Sequence, residues 1–170
     1  MMGGRLILFA ALCLGLQSEA GFAEGNVVAR ISPSGETVVL ERQVNGKVQK
    51  DYLPLHHGEG VRYFSAGVGL EERAAEYPPF ALKAVFTAGG KPFLSRVDVT
   101  IHSATGDTVV RIPGDQVDGP WLFVDLPSGS YDITASHAGR TQGLRGIKVE
   151  EGKQRVIHLR WAEDADLPGS

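Results

Sequence analysis

The side chains that could do chemistry are few, and their spacing is unhelpful to a catalyst. The five histidines are His56, His57, His102, His137 and His158. His102, His137 and His158 each fall in a segment of strand character, where facing strands could gather them around a metal. No His-x-x-x-His or His-Glu-x-x-His spacing accompanies them, so the sequence predicts solvated or edge histidines and no metal site. His56-His57 lies in a loop, where adjacent side chains diverge. Ser128 occupies a Pro-Ser-Gly turn, but the Gly-x-Ser-x-Gly pattern of a nucleophile elbow is absent. Gly67-Val68-Gly69 precedes a helical start, as a phosphate loop would. Its first turn is acidic through Glu71 and Glu72, and no Lys-Ser or Lys-Thr follows. Cys13 is the only cysteine. It sits in an apolar leader, so a chain that sheds this leader has no thiol for a disulfide, a nucleophile or a zinc site. No catalytic residue and no cofactor is predicted. Trp121, Phe123 and Trp161 are the candidates for a ligand surface, with core packing as the competing use.

The elements that must position these residues can be read from periodicity and turn residues. Leu6–Leu16 is an apolar run of the length of a signal-peptide core, about 7–15 residues, and too short to span a bilayer. Small residues follow at Ser18-Glu19-Ala20 and at Gly21-Phe22-Ala23. Residues 1–23 are therefore expected to be a cleaved signal peptide, and the mature protein to be periplasmic or secreted, with no membrane span. Residues 24–79 carry short β-like runs at Val27–Ile31, Glu36–Val44, Val48–Leu53 and Val61–Ser65. Asn45-Gly46 between two of them is a strong hairpin signal, since both central residues of a type I′ turn need positive φ. Pro54–Gly60 is expected to be loop. Leu70–Tyr77 is expected to be helical and to stop at Pro78-Pro79.

From Phe80 to Trp161 the chain reads as strands separated by turns. Phe80, Leu82, Ala84 and Phe86 are placed on one face. Val97, Val99 and Ile101 alternate with Asp98, Thr100 and His102, and Tyr131, Ile133 and Ala135 point inward. Strands every 10–15 residues with turn signals between them predict an antiparallel β-sandwich. Residues 162–170 are expected to be a frayed tail. The chain of 170 residues has a net charge of −3 and 42% hydrophobic residues. Those values exclude collagen, a multi-span membrane protein and a disulfide scaffold, and they give no basic balance for nucleic acid.

The segment Leu126-Pro127-Ser128-Gly129-Ser130-Tyr131-Asp132-Ile133-Thr134-Ala135 resembles the carboxypeptidase regulatory-like domains. These share a transthyretin-like (prealbumin-like) Greek-key β-sandwich. The resemblance covers residues 80–161 and implies structural roles for Leu126, Pro127, Gly129 and Tyr131. In that reading Pro127 presets the turn, Gly129 takes a positive φ, and Tyr131 buries its ring while its hydroxyl bonds backbone at the corner. Transthyretin-like enzymes that hydrolyse hydroxyisourate end in Tyr-Arg-Gly-Ser, whereas this chain ends Leu-Pro-Gly-Ser. Related sandwiches that form a Lys–Asn isopeptide bond need a late asparagine. Here the only asparagines are Asn26 and Asn45, upstream of Lys83, which is expected to point to solvent. The resemblance implies a non-enzymatic exported accessory or interaction module. Its partner would be another envelope protein or a polysaccharide. The alternatives are a carbohydrate- or peptide-binding module using exposed aromatics and, remotely, a hydrolase.

Overall fold

A computed structural model of the protein describes residues 26–89 and 93–162. The expected signal segment 1–23 lies outside the described residues, as does the expected tail 162–170 apart from Ala162. The described residues are all-β apart from one short helix and one turn of 3-10 helix at Gly114–Gln116.

Three sheets are built. The first contains β1 (Val28–Ile31), β2 (Thr37–Val44) and β3 (Lys47–Pro54) in chain order. Its β2–β3 hairpin is the one expected from Asn45-Gly46. Both residues adopt positive φ, at 51° and 73°, and Val44 pairs with Lys47 across a two-residue turn. The second sheet has five strands: β12 (Arg155–Trp161), β6 (Leu82–Ala88), β9 (Trp121–Asp125), β5 (Val61–Ala66) and β4 (His56–Gly58). The third has four: β11 (Arg140–Val149), β10 (Gly129–His137), β7 (Asp98–Ser103) and β8 (Thr108–Ile112). All ladders between these strands are antiparallel except β6–β12, which run parallel from Leu82↔Arg155 to Ala88↔Trp161.

The four- and five-stranded sheets form the sandwich. Alternation delivers one face of each to a shared core. Val99, Ile101, Val110, Ile112, Ile133 and Ala135 meet Leu82, Ala84, Phe86, Leu122, Val124 and Leu159 there. The other face of the five-stranded sheet is apolar as well, because it is also covered. Val38 and Leu40 of β2 and Ala29 of β1 pack with Phe64, Phe80 and Phe123 in a second core. The molecule thus has three layers with the five-stranded sheet in the middle. The boundary drawn at residue 80 falls inside the sandwich, since β4 and β5 are hydrogen-bonded members of its larger sheet.

Several local expectations are corrected. The loop expected over 54–60 contains β4, which turns into β5 through Glu59 and Gly60, both at positive φ. Helix α1 is limited to Leu70–Ala74. Beyond it the chain is recruited as an extended partner of β1: Ala29 N–H donates to Glu76 O at 2.8 Å and Glu76 N–H to Val27 O at 2.9 Å. Phe80 does not share the face of Leu82, Ala84 and Phe86. It precedes β6, so the strand's alternation does not govern it, and its ring enters the second core.

At the Leu-Pro-x-Gly corner, Leu126 and Tyr131 are buried, and the Tyr131 hydroxyl donates to Pro127 O at 2.8 Å. Gly129 has no positive φ. Its lack of a side chain serves space: an added Cβ would stand 3.3 Å from the Tyr131 hydroxyl and 3.4 Å from the ring.

Three buried or half-buried phenols make stability sensitive to alkaline pH. Burial pushes the hydroxyls of Tyr63, Tyr77 and Tyr131 above their ordinary range, with nearby carboxylates adding to the effect at Tyr63 and Tyr77. A raised folded-state value means that the native state holds these protons more tightly than the unfolded chain. Their contribution is fully present below the unfolded tyrosine value of about 10, and is lost as pH rises through the higher folded values. Lys83 acts in the opposite sense, since burial lowers it. Urea midpoints are expected to fall steadily above pH 10, with Tyr77→Phe falling less steeply than the parent. Parallel slopes would contradict this.

Candidate functional site

Of the candidate surface aromatics, Phe123 and Trp161 are packed into the cores and Trp121 is partly covered. Phe123 is 2% exposed and Trp161 3% exposed. Phe123 stacks on Phe64 with ring centroids 4.6 Å apart and meets Tyr77 at 4.8 Å. Trp161 lies edge-on to Phe86 and donates from Nε1 to Arg140 O at 3.1 Å. Trp121 is half-buried beneath Lys83, whose Nζ stands 3.5 Å from the ring centroid. Lys83 is therefore not a free solvent lysine as expected: its ammonium covers an indole, with Phe123 at 5.2 Å.

The histidines are dispersed. His56 stacks on Tyr63, the His57 ring nitrogen bonds Gly35 O at 3.0 Å, and His137 lies edge-on to Trp161. His102 Nδ1 and Thr108 Oγ1 are 3.4 Å apart on an exposed face, a long contact for a nucleophile and base. Among the described residues no three His, Cys, Asp or Glu side chains are close enough to share a metal ion. The Gly67–Gly69 segment holds a carboxylate of its own: Gly67 and Val68 N–H donate to Glu72 Oε2 at 2.7 and 3.1 Å. That occupies the amides a phosphate loop would offer.

A concentration of charge lies where β11 turns into β12. Opposite Asp132 the β10–β11 register shifts, and two residues of β11, Arg145 and Gly146, face one of β10. Gly146 takes φ 65° and donates its N–H to Asp132 Oδ1 at 2.8 Å. This bulge resets the alternation, so that Ile147 and Val149 enter the core while Lys148 stays outside. The turn 150–153 follows, held by Lys153 N–H to Glu150 O at 3.2 Å. Gln154 Nε2 donates to Phe80 O at 3.0 Å, and Arg155 N–H to Ala81 O at 2.7 Å, which anchors the start of β12.

These bonds frame an open cleft of about 370 Å³ lined by Gly146, Lys148, Glu150, Lys153, Gln154 and Arg155. Lys153 Nζ meets Glu150 Oε2 at 2.5 Å. The hydrogen bond and charge of Lys153, with Lys148 adding to them, hold the Glu150 carboxyl below its usual range. The same bond raises Lys153. One of the three cations is thus committed to a carboxylate, and Lys148 and Arg155 have no salt bridge among the described residues. The opposite side of the turn faces a separate cleft of about 380 Å³ with Asp125, Glu150 and Glu151 in its lining. Glu150 and Lys153 line both hollows, whereas Lys148 and Arg155 line only the first, which is the more cationic of the two. The cationic hollow can seat a phosphate or carboxylate by charge-assisted hydrogen bonds. Sequence reasoning passed over Lys148, Lys153 and Arg155 because residues 150–153 read as a bare turn. The available signal was the run of Arg140, Arg145, Lys148, Lys153, Arg155 and Arg160 in a chain of net negative charge.

No family model matches the chain, and no solved structure matches it. Among curated proteins it is similar to the 3-phosphoshikimate 1-carboxyvinyltransferase of Enterobacter sp. (strain 638), 28% identical over 171 residues, covering 96% of this chain and 32% of that protein. It is also similar to the protein of that name from Yersinia pestis, 24% identical over 178 residues, covering 99% of this chain and 37% of that one. The chain spans about a third of the length of these curated relatives. Both carry the name of an enzyme. That likeness corrects the expectation of a non-enzymatic module and of a chain with no enzymatic role.

Proposed function

We propose that this chain is an enzyme-related β-sandwich domain that holds an anionic small molecule, of the phosphate- and carboxylate-bearing kind, in the cleft of Lys148, Lys153 and Arg155. The observation that carries this reading is the convergence of three cations on one cleft, two of them without a salt bridge among the described residues. The relatives' name supplies a ligand of the same chemistry to try, 3-phosphoshikimate. The bonds would be charge-assisted and solvent-facing, so binding weakens as salt screens them.

Titration of the labelled protein with 3-phosphoshikimate, followed by amide chemical shifts, is expected to give saturable changes at Lys148, Lys153 and Arg155. The double variant Lys148→Gln with Arg155→Gln is expected to weaken binding at least about tenfold, which is ~1.4 kcal/mol. Absence of saturation, or binding that the double variant leaves unchanged, would remove this reading.

Residues 80–161 are assigned in the same proposal to the carboxypeptidase regulatory-like sandwiches, supported by the Tyr131–Pro127 bond at the corner. The protein is assigned to the periplasm or the exterior, where its partners would be envelope proteins or polysaccharides. The apolar run Leu6–Leu16 supports export, and N-terminal sequencing of fractionated protein tests it.

A further inference from the structure

We propose that the open edge of β12 accepts an extended acidic segment of a partner protein as an additional strand. This inference does not require the small-molecule reading, although Lys148 and Arg155 belong to both surfaces. β12 is the outermost of the five-stranded sheet, pairing with β6 on one side and with no strand on the other among the described residues. Arg155 N–H donates to Ala81 O at 2.7 Å, and Trp161 O accepts from Gly89 N–H at 2.8 Å. The odd-numbered residues therefore direct their backbone groups to β6. In an extended strand the intervening residues must direct theirs the opposite way. Val156, His158 and Arg160 thus offer a row of N–H and C=O groups along the free edge, the template that strand addition uses.

The charge around this edge selects the occupant. Arg155, His158 and Arg160 are exposed on β12, and Arg145 and Lys148 are exposed on β11, the neighbouring edge of the other sheet. Neither strand contains a carboxylate. A second copy would bring the same positive edge against this one, so β12-to-β12 pairing is opposed by like charge. A strand with acidic side chains gains attraction along its whole length. Val156, 44% exposed, adds an apolar contact within the row.

The test uses a fluorescent seven-residue peptide of glutamates alternating with valine and threonine. Its controls are the same peptide N-methylated at alternate amides and a lysine-for-glutamate version. The acidic peptide is expected to bind saturably and to slow hydrogen exchange at the Val156, His158 and Arg160 amides. Both controls are expected to bind at least about tenfold more weakly, as is the protein variant Arg160→Glu. His158→Pro, which deletes one edge N–H where proline is tolerated, is expected to weaken binding as well. Melting curves establish that each variant is folded. Arg160→Glu is expected to leave 3-phosphoshikimate binding unchanged, and Lys148→Gln to affect that ligand first, which separates the two proposals. Failure of the acidic peptide to saturate would overturn the inference. Equal binding of the N-methylated peptide would also overturn it, because charge alone would then account for the contact.

Discussion

Replacing Phe123 with alanine is expected to lower stability by about 3–5 kcal/mol, the range for truncating a large buried aromatic. Phe123 stands at the meeting point of two layers. Its ring stacks on Phe64, touches Tyr77, and lies in the same core as Val38 and Leu40 of β2. The surrounding strands are tied by ladders on both sides, so the space left behind cannot collapse readily. Urea unfolding followed by tryptophan fluorescence measures the loss. Val48→Ala, on the exposed strand β3, is the matched control and should stay within about 0.5 kcal/mol. If Phe123→Ala costs less than about 1 kcal/mol, the three-stranded sheet does not cover this face and the second core is misplaced.

Gly119→Ala is expected to be as damaging, by a different route. A Cβ at Gly119 would stand 2.2 Å from Ala66 O and 2.6 Å from its carbonyl carbon. Both are backbone atoms of β5, which cannot rotate away as a side chain would. Ser65 closes the same contact, accepting from Gly119 N–H at 2.8 Å and donating to Gly119 O at 3.2 Å. Relief requires β5 to part from the start of β9, where Ala66 pairs with Trp121. Overpacking typically costs 1–3 kcal/mol and occasionally more, and about 3 kcal/mol or above is expected where only backbone can yield. Gly143→Ala is the comparison. It sits in β11 without a positive φ, and its nearest neighbour to a new Cβ is 3.7 Å away. That change should be neutral or slightly stabilising, since alanine loses less freedom on folding. Equal melting of the two variants would mean that the close approach does not exist.

The sandwich was legible because its signals are local. Asn45-Gly46 specifies a turn, and Val97, Val99 and Ile101 alternate with polar residues over one strand. Tyr131 follows a Leu-Pro-x-Gly corner, where the resemblance implied a backbone bond for its hydroxyl; the acceptor is Pro127 O. Misreadings arose where a distant partner decides. Residues 75–77 have helical neighbours, yet Glu76 is claimed by β1. Phe123 and Trp161 left two uses open in the sequence, because a strand apolar on both faces does not announce what covers its second face; both are core residues. Lys83 alternates with inward residues and so reads as solvated, but Trp121 lies under it. The cationic cleft was hidden for the same reason. Lys148 and Arg155 come from different strands, and a bulge plus a turn bring them together.

The parallel union of β6 with β12 has a consequence for how the chain acquires its shape during synthesis. Every other neighbour in the middle layer is available before β12 has been made, whereas β6 waits on β12 for its second partner. Until then Leu82, Ala84 and Phe86 border an incomplete core, without Ile157, Leu159 and Trp161 to close it. Such distant pairings are slow to find, and apolar surface left open meanwhile invites aggregation. A polypeptide emerging vectorially, whether from a ribosome or through a translocation pore, therefore cannot finish this layer before its last strand is released.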